Sequence, residues 1–545
     1  PAASIIAACA IIYTGTGLFR VYQIPWAEPF FGDSAETHGN DGLTDEQRAA
    51  VLAPVTGEER STFALFQRTS ELLGKNRLDD RFGTKTVEEL WRALSEDDQL
   101  AAEKAIRLLL EAAELPACAD FSPATTNVSD VAASTSGQAF QDSVGSLLFD
   151  ARREIESGNV NVALDRYRTA FAVSRHAAGR GAEMNWWLSH QLTQKTLRAI
   201  QEWAKHPGVD ATLSHDAAEI IDDHRRQMTP IEVTNFATAV MVRNTLDADA
   251  FTIAELTGDS SNRLPVLLAT KFPGERPRSL RLLNALESHD VEILASYRAQ
   301  LAAAKTGIGQ GLTQWYNSAQ SKNAALRDQT RFLTHITPLL AMITSVPADY
   351  ICLSDIKTEH EIRATKLLLR LLQQQRIGEL PETLDDFDAS LNDPWTDKPF
   401  IWYPEGLPAD LKQINAVIVS ANTPFFLSTG YSQATIRRVE YGNAEEGFGA
   451  FAPEQMEGGE FSGLGFGSSG SSLSGGDGEP RLGGQPSPGP DGNSRPASAV
   501  AAHQGNEESI HVEYVLEGGT HHSSDGVAAV WLLPRKASTG GKESE

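Results

Sequence analysis

The sequence predicts a mainly α-helical protein: an irregular helical bundle or array followed by a C-terminal α+β domain, in which a helix packs on a small antiparallel sheet broken by a long disordered insertion. Three observations carry that prediction. From Thr44 to about Gln375, apolar residues recur at helical spacing in successive runs separated by breaks such as His206-Pro207-Gly208 and Phe272-Pro273-Gly274. Beyond Asn415 the chain turns to short runs rich in β-branched and aromatic residues. Between those runs, Asn443–Ser509 is so rich in Gly, Ser and Pro that it cannot bury enough apolar surface to offset chain entropy.

The elements follow in order. Pro1–Phe19 (PAASIIAACAIIYTGTGLF) carries no charge, and about 20 apolar residues at a rise of 1.5 Å span a bilayer core. The run is expected to be a transmembrane anchor over 1–20. A lipoprotein acylated at Cys9, after Ile6-Ala7-Ala8, and a buried core helix are the alternatives. The chain opens on Pro1 rather than Met, so residues ahead of it are expected; basic ones would orient the body away from the cytoplasm. A tether with Pro25, Pro29, Gly32, Gly39 and Gly42 covers 21–43.

The helical body is expected over 44–350. Thr44-Asp45-Glu46-Gln47 has the form of a capping box, and helices are predicted at Glu59–Leu73, Thr86–Leu94 and Asp97–Leu115. Longer amphipathic runs cover Gln138–Glu156, Val160–His176, Glu183–Lys205, Ser214–Gln227, Arg278–Ala304, Leu312–Leu326, Arg327–Ile343 and Lys357–Gln375. The pair Trp186-Trp187 sits in one of them and is expected to be core. The α+β domain takes 351–442 and 510–535, with strands at Phe400–Tyr403, Asn415–Ser420, Pro424–Ser428, Thr435–Tyr441, Ile510–Leu516 and Gly526–Leu533. The disordered insertion over 443–509 then lies inside the sheet, because a lone two-stranded tail would be only marginally stable. A disordered tail over 536–545 ends the chain.

Composition narrows the function classes. The 545 residues are 41% hydrophobic and 22% charged, with 72 acidic against 47 basic side chains and a formal net charge of −25. That field repels phosphate backbones, and no basic stripe interleaved with aromatics offsets it, so nucleic acid is not an expected partner. Of the three cysteines, Cys118 and Cys352 are far apart in sequence; a bridge outside the cytoplasm and two separate buried thiols are both open.

Two stretches resemble known families. Gly158-Asn159-(x)3-Ala163-Leu164-(x)2-Tyr167-(x)2-Ala170 is similar to the second half of a tetratricopeptide repeat, and Ala151 takes the small-residue position of the first helix. Asp150 and Glu154 depart from the repeat's Leu and Tyr, and no second copy follows. The resemblance implies one repeat-like hairpin near 138–176. The second stretch joins Gly378-Glu379-Leu380-Pro381-Glu382-Thr383-Leu384 to Asp393-Pro394-Trp395-Thr396-Asp397-Lys398-Pro399-Phe400-Ile401-Trp402-Tyr403. It resembles the globular end of type II secretion pseudopilins, a segment that recurs in large, helical, membrane-anchored proteins of planctomycete-type bacteria. The order of anchor, acidic spacer, helices, hairpin and D-P-W segment is also similar to those proteins. The D-P-W segment has its own physics: Asp393 can form an Asx-turn, Pro394 fixes φ, and Trp395 is expected to pack on Lys357–Gln375 near Leu368, Leu371 or Leu372.

Candidate chemistry is sparse. His215, Glu219 and Asp222 fall at i, i+4 and i+7 on one predicted helical face and could offer metal ligands, with His224 directed elsewhere; a solvated polar face is the simpler account. Asp385, Asp386, Asp388, Asp393 and Asp397 lie close together, and calcium favours oxygen-rich loops, but the EF-hand spacing is missing. Calcium in some secretion pseudopilins makes Asp393 and Asp397 the candidates the resemblance implies. No P-loop, GxSxG or Cys/His pairing occurs, and no other cofactor is expected. The expected role is a membrane-anchored structural or protein-interaction protein, with its body in the periplasm or another extracytoplasmic space and other envelope proteins as partners. A secretion-apparatus accessory, or a hydrolase whose site is assembled from distant residues, is the alternative.

Overall fold

The computed structural model describes residues 42–74, 87–126, 136–247, 275–304, 311–322, 348–406, 414–420, 424–428, 435–436, 509–512, 514–515 and 529–534. The expected anchor, most of the tether, the helix expected over Arg327–Ile343, the tail, and all of the insertion but Ser509 lie outside these residues. The described chain is mainly helical, with a small antiparallel sheet at its C-terminal end, as the sequence predicts.

Helix starts follow local chemistry. α1 (Asp45–Leu52) and α2 (Gly57–Leu73) begin on Thr44 and Thr56, each closing a capping box with Gln47 or Glu59. After α3 (Val87–Ala93), helix α4 (Glu96–Ala113) starts on Ser95, with Glu96, Asp97 and Asp98 facing the unpaired N–H groups of its first turn. α5 (Ser136–Glu156) and α6 (Val160–Ala178) form a tight helical hairpin. Its turn holds Gly158 at φ +84°, a conformation a side chain would strain. Ala151, Ala163 and Ala170 are wholly buried at this seam, so the two backbones approach closely. Tyr167 fills the space beyond them and meets Trp203 edge-on at 6.2 Å.

α7 (Glu183–Ala204) packs on α6, and α8 (Ala211–Gln227) starts on Asp210, whose carboxylate accepts from Leu213 N–H. α9 (Ile231–Asp247) has no counterpart in the sequence-based expectation. Phe236, Ala237, Ala239, Val240, Met241 and Val242 are all buried, so its apolar residues run consecutively and the helical period disappears. α10 (Glu275–Ala304), a helical stretch over 312–322, and the long α11 (Ala348–Ile377) complete the body. The expected domain boundary near 350 falls in the first turn of α11.

The sheet joins β1 (Ile401–Tyr403), β3 (Phe425–Ser428) and β7 (Ala529–Leu532) in that order, all antiparallel. Two further pairs match β2 (Ile414–Ser420) with β5 (Ser509–Val512) and β4 (Thr435–Ile436) with β6 (Tyr514–Val515). Each strand after the Gly/Ser/Pro-rich segment therefore pairs with one before it. Phe426 faces both Trp402 and Trp531 across the register. One hydrophobic cluster runs from Phe66 and Leu109 through Tyr167 and Trp203 to Leu367, Leu368, Leu371 and Leu372, then on to Phe400, Phe426 and Trp531. Helical body and sheet thus share a core, with α11 between them.

Candidate functional site

The polar chemistry of the interior gathers where α7, α8, α10 and α11 meet. On α11, Asp355, Thr358, Glu359 and Arg363 fall at i, i+3, i+4 and i+8 and so share one face. Arg225 of α8 reaches this face, lying 3.3 Å from Asp355 and 3.0 Å from Glu359. Tyr297 of α10 donates its hydroxyl to Asp355 at 2.9 Å. Arg363 pairs with Glu359 at 2.8 Å and donates to the carbonyl of Asn392 at 3.1 Å. An unbroken chain of ion pairs and hydrogen bonds thus links α10, α8, α11 and the residue that precedes the D-P-W turn. Burial pushes Glu359 up, but the Arg225 and Arg363 guanidiniums outweigh it and hold the carboxyl below its usual range. The Asp355 charge raises Arg225 further above its ordinary value against burial.

Two histidines border this chain. His190 of α7 is wholly enclosed, with Nδ1 2.8 Å from the Thr358 hydroxyl and its ring 3.7 Å from that of Trp186; burial lowers it to about 4. His224 of α8 stacks on Phe171 of α6 at 4.3 Å, between Thr193 at 2.9 Å and Arg175 at 3.2 Å.

The D-P-W turn docks where α11 and the sheet meet. Asp393 accepts from Trp395 N–H at 3.0 Å and from the Ser428 hydroxyl at 2.6 Å, closing the expected Asx-turn and tying it to β3. Burial raises its carboxyl to about 6 despite both bonds. The carbonyls of Pro394 and Trp395 accept from Leu312 and Thr313 N–H at 3.0 and 3.1 Å. That approach requires Gly311, because a Cβ there would lie 2.4 Å from the Trp395 carbonyl oxygen. Trp395 is buried as expected, but its neighbours differ. It packs with Tyr297, Leu312, Tyr316, Ile351 and Ile356, whereas Leu368, Leu371 and Leu372 belong to the other cluster. The carbonyl bonds to 312 and 313 draw the indole to the N-terminal half of α11, which no sequence spacing encodes.

The residues singled out for metal binding separate. His215 and Glu219 meet at 3.3 Å with mostly exposed side chains, while Asp222 turns to Lys366 at 2.7 Å and His224 faces the interior. Asp388 accepts from Ser390 N–H to start the short helix Ala389–Leu391, and Asp385 and Asp386 are exposed. Asp397 sits at φ +57° and its carbonyl accepts from the Asn392 amide at 3.1 Å. Among the described residues no group of three or more His, Cys, Asp or Glu side chains is arranged to hold a metal ion. Cys118 and Cys352 are both free and buried.

Sequence reasoning missed the charged seam itself. The available signal was the set of charged residues at helical spacing along α11 among six leucines, on a helix with no purely polar face. Comparison with protein-family models, curated proteins and solved structures returned no match.

Proposed function

We propose that this chain is a structural or protein-interaction protein of the cell envelope, held to the membrane by the uncharged Pro1–Phe19 run with its acidic body outside the cytoplasm. The observation that carries the non-catalytic part is the D-P-W turn. Its carboxylate and its carbonyls all bond the protein's own elements, at Trp395, Ser428, Leu312 and Thr313, and so serve to join strand, helix and turn. The charge of −25 supports display on a solvated surface and steering of cationic partners. Among the described residues no helix is long and apolar enough to cross a membrane, and the Pro1–Phe19 run lies outside them. The test is alkaline carbonate extraction of cells expressing the full chain, followed by cross-linking in intact cells and mass spectrometry. Retention with the membrane and cross-links to envelope proteins are expected. Release into the carbonate supernatant overturns the anchor, and the absence of any cross-linked partner overturns the interaction role.

A further inference from the structure

His224 has a protonation state fixed by its neighbours. An arginine has donors and no acceptor, so the Arg175 Nη1 contact at 3.2 Å requires an unprotonated Nδ1. The proton must then sit on Nε2, which donates to the Thr193 hydroxyl at 2.9 Å. The neutral Nε2–H imidazole therefore bridges three helices: α8 carries it, α6 supplies Arg175 and the Phe171 ring, and α7 supplies Thr193.

We propose that His224 is the pin of an acid-sensitive latch that holds α8 against α6 and α7. Protonation at Nδ1 would set an N–H against the Arg175 N–H groups and add a positive charge where the counter-charges are committed. The facing groups are Arg175 on α6, His190 on α7, and Asp223 and Arg225 on α8 itself. From α11, Asp355 and Glu359 are both bound to Arg225, and Glu359 also to Arg363. Tyr297 of α10 reaches the group only through Asp355. Asp223 is itself bound by Arg226, so four guanidiniums stand against three carboxylates while the histidines are neutral, and an added proton has no partner. Burial, reinforced by Arg175, His190 and Arg225, holds His224 well below its ordinary value. A proton is therefore taken up by the opened form, in which α8 has withdrawn and the imidazolium meets water. Opening uncovers Ala217, Ile220 and Ile221, the apolar face that α8 buries.

The test is amide hydrogen exchange of 211–227 in the full chain between pH 7.5 and 5, corrected for intrinsic rates. Below pH 6.5 protection is expected to fall by up to about tenfold per pH unit, the limit for one linked proton, while the α5–α6 hairpin changes less. His224→Gln keeps an acceptor for Arg175 and a donor for Thr193 but cannot titrate, so it should flatten the response of α8 and leave protection at pH 7.5 intact. An unchanged fall in that variant overturns the latch. Exchange of the imidazole Cε1 hydrogen, read by mass spectrometry in the unmodified protein, decides independently of any variant. Titration of His224 near 6.5 with α8 still protected would also overturn it, whereas protonation that coincides with loss of protection supports it.

Discussion

Two seams in the same helical body differ in how far they rely on apolar packing and how far on charge. Between α5 and α6 the contact is made of small apolar side chains, Ala151, Ala163 and Ala170, with Tyr167 filling the remaining space. Between α8 and α11 it is made of Arg225, Asp355, Glu359 and Arg363, with Asp222 and Lys366 a little further along. The first gains chiefly from burial and dispersion, although Asp150 of α5 also pairs with Arg166 of α6 at 2.7 Å. The second must offset the desolvation of every charge it holds, so its net stabilisation is small while the loss of any one partner is severe. The comparison teaches that an apolar seam tolerates solution conditions and resists added volume, whereas an ionic seam tolerates neither lost charges nor altered protonation.

Four measurements sharpen or break that contrast. The largest effect expected is that of acid. His176, His190 and His360 are lowered by burial to about 4, 4 and 3, and His224 lies well below 6.5. The unfolded chain takes up these protons first, so stability is full above pH 6.5 and falls as pH drops through the window below it. Three acids oppose this, Glu287 raised to about 7, Asp393 to about 6 and Glu361 raised by burial, since the folded state holds their protons more tightly. Four histidines against three acids leave a net loss on the order of 2 kcal/mol per pH unit near pH 5. Urea unfolding from pH 8 to pH 4.5 measures it, and a flat profile would refute the burial of these groups. Next, Arg225→Met leaves Asp355 and Glu359 without their shared cation and should cost about 3–5 kcal/mol, read from the urea midpoint at pH 7.5. Ala163→Leu overfills the apolar seam and should cost about 1–3 kcal/mol. Its pH profile should run parallel to that of the unmodified protein, because the substitution adds volume and removes no charged group. The smallest effect belongs to Asp393→Asn, about 1 kcal/mol at pH 4, where the carboxyl is already largely protonated. The unmodified carboxyl loses stability as pH rises from 3.8 to 6, and the amide does not. The variant should therefore compare better at pH 8 than at pH 4, and an equal cost at both would mean that Asp393 is not buried in the turn.

The sequence told more about the apolar seam than about the ionic one. Gly158, Ala163 and Tyr167 are local signals, and the hairpin they predict closes within about ten residues of its turn. The capping boxes at Thr44 and Thr56 are local too, as is the Asx-turn at Asp393. The ionic seam joins Arg225 to Asp355 across 130 residues, and no periodicity within either helix names the other. Long-range pairing is also what moved Trp395 away from Leu368, since Gly311 and Thr313 fix the turn from outside its own segment. α9 escaped notice for a different reason: a helix enclosed on most sides loses the polar face that would mark its period. The candidate ligands failed because helical phase alone says which residues share a face, not what that face meets. Lys366 takes Asp222 from the set.

The placement of β7 sets the schedule by which this protein can mature. Trp531 and Leu533 complete a cluster that already contains Leu368, Leu371, Leu372 and Phe426, and Leu533 N–H donates to the Pro424 carbonyl at 2.9 Å. Those partners leave the ribosome more than a hundred residues before β7 does. Until β7 arrives, the part of this core that Trp531 and Leu533 seal stays open, the kind of apolar surface that chaperones hold and that aggregates when they do not. Premature termination anywhere in the Gly/Ser/Pro-rich stretch would therefore release a chain that holds every described helix but lacks the strand that seals its core. β7 thus closes, from far along the chain, a core that its partners opened early.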